Sequence, residues 1–346
     1  MATSCDFNFG MILEGDPSAL ADAYQRFAQV PVDLDWSRQS PAERLVAPRT
    51  IAKPVSVSAP GTFSKNAIRT LRLEPTERPG WWLERTDIPD SRPIKVSIRN
   101  VWTTGEIVSN IVLRSGSIHN YVRLVEHIIA LKQGMDVDNL VIKLDSGDPP
   151  LFNEGSKELV EAINSAGRRE LPDQEQVRYF TVKQRVSLLT PHNGFLVIDP
   201  VEEGRFALDI DCVRDFPNAI GQQRIKFVHN ERSFHYGATA RTNSTARQKL
   251  MVTTLGKLFP ESRNLGYNRK NVLIAGKRRY VNEPTHLENG KSLEAAWHRA
   301  ILDLLAALAL IDEGRFVGRI IDYKGGHYPD VEMVKLLYAN QLLVEV

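Results

Sequence analysis

The chain has 346 residues, 42% of them hydrophobic and 25% charged, with a formal net charge of +2. This balance suits a globular protein with room for two cores, excludes a fibrous or disordered chain, and gives no bulk-charge case for nucleic acid. The two cysteines, Cys5 and Cys212, form no CxxC pair, which excludes a disulfide framework or a cysteine-rich zinc module and suits a reducing compartment.

The N-terminus, MATSCDFNFGMILEGD, lacks the basic start and apolar run of a secretory signal. The most apolar stretch, Ala300 to Ile311, contains Asp303 and is too short to span a bilayer. A cytoplasmic location is expected. Residues 1–48 read as an N-terminal extension, with a short amphipathic helix at Ser18 to Val30 followed by a segment broken by Pro31, Pro41 and Pro48. It is expected to pack on the body or to bind a protein partner.

From Thr50 onward TIAKPVSVSAPG, NAIRTLRLEP and RPIKVSIRNVW alternate apolar and polar residues between turn signals, as half-buried strands do. Asn120 to Gln133 reads as a helix closed by Gly134, Asn139 to Leu144 as a strand and Lys157 to Ala166 as a second helix. The order then repeats. VRYFTVKQRVSLLT, GFLVIDPVE and GRFALDIDCV read as strands, Ser292 to Ile311 as the longest helix, RFVGRIIDY as a strand and Glu332 to Leu343 as the last helix. The pattern predicts an α+β fold of two related domains, 49–171 and 172–346. Between Arg241 and Tyr280 ten basic residues meet a single acidic one, Glu261. Such a cluster suits phosphate contacts or a solvated face; nucleic acid or anionic lipid is the least favoured partner.

Three places carry residues suited to chemistry. Glu126-His127 sits in a helix with apolar Val125, Ile128 and Ile129, and a carboxylate beside an imidazole suits a metal site with a general base. Asp303 lies in the apolar AILDLLAAL, where a carboxylate needs a metal, a cation or several donors. At about 100° per residue, Arg299 faces Asp303 while His298 lies about 140° away. Gly325-Gly326-His327 follows a strand, and its glycines let the backbone turn a histidine into a cleft.

These pieces, in this order, resemble the UDP-3-O-acyl-N-acetylglucosamine deacetylases of lipid A biosynthesis, the LpxC family. The resemblance runs from about Arg49 to the C-terminus. RTIAKPVSVSAPG, LRLEP and LERTDIP resemble the family's opening strands, and VEHIIALKQGMDVDNLVIKL its TVEHL segment. FPNAIGQQRIKF and Ala240-Arg241-Thr242 resemble its HP…I…Q and ARTF stretches. Tyr280-Val281-Asn282-Glu283 is similar to its VLNE, AILDLLAAL to its metal helix and YKGGH to its KSGH loop. The resemblance implies zinc held by His127 and Asp303, Glu126 as catalytic base, Thr242 at the oxyanion and His327 as general acid. Arg241 and Lys324 fall at substrate-contact positions. The resemblance also implies that the two α+β domains face each other across a central cleft that holds the metal, and that the substrate is an acylated amino-sugar nucleotide, from which an N-acyl group is hydrolysed.

The departures are as informative. The family's metal helix carries His-x-x-x-Asp, and counting back from Asp303 puts Arg299 at the histidine; arginine stays protonated and does not ligate zinc. Ala300 stands at the neighbouring lysine. The family's MDGSA turn reads Phe152-Asn153-Glu154-Gly155-Ser156, its GLHSG turn reads Thr62-Phe63-Ser64-Lys65-Asn66, and a four-residue insertion follows Asn282. Two readings follow. In one, the chain is an active deacetylase on this or a related acylated substrate, either with zinc and His298 brought into the ligand position by a local helix distortion, or by metal-free chemistry. In the other, an Arg299–Asp303 pair replaces the metal, no cofactor is bound, and the chain is an inactive binding module or a subunit of a larger assembly.

Overall fold

A computed structural model describes residues 7–105, 109–245, 264–312 and 314–346. The fold is α+β, built on two principal sheets. The five-stranded sheet runs in the order Val55–Pro60, Ile68–Glu74, Leu140–Leu144, Trp81–Arg85, Ile94–Lys95. Burial alternates strictly along Trp81–Arg85 and Leu140–Leu144, so this sheet presents one face to the core. RPIKVSIRNVW, expected as one strand, is broken after Ile94–Lys95 by a 3-10 turn at Ile98–Asn100.

The seven-stranded sheet runs Met11–Glu14, Val186–Thr190, Gly194–Asp199, Gly318–Tyr323, Leu208–Asp215, Gln222–Val228, Leu34–Trp36. Here the central strands are apolar on both sides, and both sides are covered. Leu196, Ile198, Ile210 and Ile320 face the main core, while Phe195, Val197, Val213 and Ile321 face helix α1, Pro17–Ala28. The N-terminal extension therefore packs on the body. Asp16 caps α1 by accepting the Ser18 and Ala19 amides, Pro17 occupies the first turn, and Leu20, Ala23 and Phe27 are buried. The flanking strands Met11–Glu14 and Leu34–Trp36 add in parallel to opposite edges of the sheet, pairing backbone groups that open edges would leave exposed.

One apolar core joins both sheets to α2 (Glu126–Gly134) and to a long helix in three parts: α5 (Glu294–His298), a π-helical turn (Arg299–Asp303) and α6 (Leu304–Leu308). The remaining helices are α3 (Lys157–Ala166), α4 (Glu231–Gly237) and α7 (His327–Ala339). Packing of α2 on α6 is reinforced by Lys132, whose buried ammonium donates to the Ala309 and Ile311 carbonyls at 2.9 Å each, at the negative end of the long helix. Gly134 is not a C-terminal cap. It is the last residue of α2, and a Cβ there would lie 1.9 Å from the Phe234 ring. Close approach of α4, not a left-handed turn, requires the glycine.

Two helix boundaries differ from expectation. The first helix begins at Glu126, because Asn120 bonds the Arg92 and Ser115 carbonyls and Tyr121–Val122 pairs with Leu113 and Arg114. The last begins at His327 and ends at Ala339. No helix among the described residues is long and apolar enough to cross a membrane.

Candidate active site

Four chain segments converge between the sheets. The first is the start of α2. Leu124 is held at φ 52°, a left-handed conformation that a non-glycine residue adopts only where its surroundings impose it. Its amide donates to Asn110 Oδ1 at 3.1 Å. This bend starts the helix at Glu126 and places Glu126 and His127 on its first turn. Glu126 is buried, and its Oε2 accepts the Ile111 amide at 3.1 Å. Burial raises its carboxyl above the ordinary range, against the opposing pull of His327 and of backbone amides.

The second segment is the π turn. An α-helix closes hydrogen bonds four residues back; here the Leu304 amide reaches the Arg299 carbonyl, five back. The wider turn brings His298 and Asp303, five apart, to one side of the helix, with His298 Nδ1 3.5 Å from Asp303 Oδ1. The expectation that Arg299 faces Asp303 is thereby overturned. The Arg299 guanidinium instead binds Asp322 and Asp330. An ideal helical count misassigned the face because the turn holds one residue too many.

The third segment is the strand Thr242–Thr245. Thr242 Oγ1 lies 3.0 Å from His298 Nε2 and 3.3 Å from His127 Nε2. The fourth is the turn after Tyr323, which delivers His327. Its Nε2 lies 3.7 Å from Asp303 Oδ1 and 3.8 Å from Glu126 Oε1.

At the centre the Nε2 atoms of His127 and His298 are 3.0 Å apart. Burial, then the neighbouring His298, pushes His127 down to about 3, so its ring is neutral near pH 7 and offers a lone pair. The backbone of Gly155 also bonds the ring, the kind of contact that orients a ligating imidazole. Asp303 Oδ1 is buried yet accepts no well-formed hydrogen bond. Burial pushes its carboxyl up, but the charges of His298 and His327 outweigh that and hold it ionised.

Among the described residues no three His, Cys, Asp or Glu side chains already close on one point. The donor set nevertheless fits zinc. Two imidazole nitrogens on one tetrahedral zinc lie ~3.3 Å apart, close to the separation here, and Asp303, whose Oδ1 lies 3.5 Å from His298 Nδ1, would be the anionic donor.

Two other expected site residues are engaged elsewhere. Arg241, expected at a substrate contact, forks onto the fully buried Glu294, with Nε 2.6 Å from Oε1 and Nη2 3.0 Å from Oε2. It ties the strand carrying Thr242 to the first residue of the helix carrying His298. Lys324, also expected at a substrate contact, pairs with Asp215 at 3.0 Å, and neither cation lines the cavity. Of the basic stretch, Arg247, Lys249, Lys257 and Arg263 lie outside the described residues.

The cavity walls include apolar Leu124, Ile128, Leu151 and Phe152. Tyr267 also lines the cavity and was not foreseen. Burial and then the Glu126 charge push its phenol up, and it sits in a polar stretch with no periodicity to single it out.

The model of the UDP-3-O-acyl N-acetylglycosamine deacetylase family matches residues 48–339. Proteins named UDP-3-O-acyl-N-acetylglucosamine deacetylase from Brucella ovis, Brucella canis and Brucella melitensis are each 25% identical over 299 residues, covering 86% of this chain and 97% of the relative. The match begins where the N-terminal extension ends, and it contains every residue of the converging site. The chain belongs to the UDP-3-O-acyl N-acetylglycosamine deacetylase family.

Proposed function

We propose that this chain is an active zinc-dependent deacetylase that hydrolyses the N-acetyl group of an acylated UDP-amino sugar, with zinc held by His127, His298 and Asp303. The observation that carries this reading is the 3.0 Å approach of His127 Nε2 to His298 Nε2, which the π turn makes possible. Zinc bound there would act as a Lewis acid on the amide carbonyl and lower the pKa of water. Glu126 removes the water's proton, and its raised pKa suits that task. Thr242 Oγ1 donates to the oxygen that gains charge, since its hydroxyl lies against both imidazoles. His327 Nε2, between Glu126 and Asp303, delivers a proton to the departing amine. The apolar wall limits the water that reaches these groups.

What speaks against the inactive reading is that Arg299 binds Asp322 and Asp330 rather than pairing with Asp303. The test is release of acetate from UDP-3-O-acyl-N-acetylglucosamine by the purified chain. Glu126→Gln should keep the zinc and lower kcat ~100-fold or more, the usual weight of a general base. A native chain that binds zinc and releases no acetate would contradict the substrate assignment.

A further inference from the structure

Arg299 is adjacent to His298 but takes no part in the cavity. Its side chain is 1% exposed and binds two carboxylates that are themselves buried. Nε donates to Asp322 Oδ2 at 2.7 Å, while Nη1 and Nη2 donate to the two oxygens of Asp330. The paired geometry is the one only a guanidinium provides.

These carboxylates flank the turn that carries His327. Asp322 is in the strand entering it, and Asp330 is in the first turn of α7, three residues past His327. Asp322 Oδ1 also accepts the Gly325 amide at 2.8 Å, and the Gly325 carbonyl accepts from Arg214 Nη1 at 2.8 Å. A Cβ on Gly325 would lie 2.3 Å from Asp322 Oδ1 and 2.4 Å from Arg299 Nη2, so the turn packs directly on the ion pair. Lys324 enters it at φ 55°, a second non-glycine residue held left-handed beside the site.

The imidazole of His327 lacks the usual means of orientation. Catalytic and ligating histidines are commonly fixed by a hydrogen bond to the far ring nitrogen. His327 Nδ1 is buried and makes no hydrogen bond among the described residues. With Nε2 alone directed at Glu126 and Asp303, the placement of the ring depends on the backbone turn that carries it.

We infer that Arg299 is a positioning residue for the deacetylation: by bridging Asp322 and Asp330 it fixes the Gly325–His327 turn, and so the His327 ring, against the helix whose π turn joins His298 to Asp303. The inference rests on the proton-donor role proposed for His327. Lysine cannot replace the fork, because one ammonium cannot hold both oxygens of Asp330 while also reaching Asp322.

The test compares Arg299→Lys and Asp330→Asn with the native chain by zinc content, by separate kcat and KM, and by NMR of 15N-labelled histidine, with the His327 signal assigned through His327→Gln. Asp330→Asn preserves side-chain shape and guards against a folding failure in the arginine variant. Zinc content and KM are expected within about twofold of native while kcat falls ~10–100-fold, the effect of a misplaced reacting group. The His327 signal should shift or broaden. Native kcat with an unmoved His327 signal would overturn the inference. Loss of zinc together with kcat would overturn it too, since Arg299 would then be holding His298. If the native chain releases no acetate, the proposed activity fails by itself: a moved His327 signal still supports the clamp, and an unmoved one rejects it.

Discussion

The start of α2 and the π turn each bring two functional side chains to the same cavity, in opposite ways. In α2 the pair is adjacent, Glu126 and His127, and an ordinary helix separates two neighbours by about 100°, enough to aim one at His327 and the other at His298. In the π turn the pair is five residues apart, and an ordinary helix would put His298 and Asp303 about 140° apart. The extra residue widens the turn until they meet. A widened turn can thus keep a ligand pair that has lost its one-turn spacing, while sending the intervening Arg299 to the opposite side.

The comparison can be broken by deletion. Removing Ala130 from α2 rotates what precedes it by about 100° relative to α6, so Glu126 and His127 should leave the cavity and both zinc and turnover should vanish. Removing Ala300 from the π turn should instead restore ordinary helical spacing and leave His298 and Asp303 on one face. Zinc measured in the two deletions distinguishes them; equal loss would mean that the π turn is not what joins the ligands.

A smaller effect is expected on the far side of the turn. Arg299→Met leaves Asp322 and Asp330 buried without a cation, which should cost ~3–5 kcal/mol in denaturant unfolding. Arg241→Met, which strands only Glu294, should cost less.

The smallest effect is a pH dependence. In the folded chain His127 lies at about 3, below its ordinary 6.5, so the unfolded chain takes up a proton that the folded chain refuses. The stability this group contributes is present above about pH 6.5 and is lost as pH falls toward 3, at no more than about 1.4 kcal/mol per pH unit. Metal-free protein unfolded in urea at pH 7 and pH 5 should show this loss, and His127→Asn should remove its share. An identical slope in both proteins would place the neutral imidazole elsewhere.

What the sequence made legible follows the same division. Glu126-His127 and Gly325-Gly326-His327 are compact in sequence, and both reach the cavity. The α+β class was readable from alternating and continuous apolar runs, including GFLVIDPVE, whose two-sided burial needs α1 on one face. His298 was assigned to the wrong face because helical counting presumes a constant period, and nothing in AWHRAILD marks the inserted residue. The partners of Arg299 were hidden for another reason: Asp322 and Asp330 lie 23 and 31 residues away, and only the tertiary fold brings them together. The strands Met11–Glu14 and Leu34–Trp36 were missed because three or four residues paired at a sheet edge show little periodicity.

The central claim is that His298, carried round by the π turn, is a zinc ligand. The direct measurement is zinc content in the native chain, His298→Ala and Arg299→Lys, each purified without added metal or chelator. The account predicts about one zinc per chain in the native and Arg299→Lys proteins and a nearly empty site in His298→Ala. Full zinc in His298→Ala would contradict it.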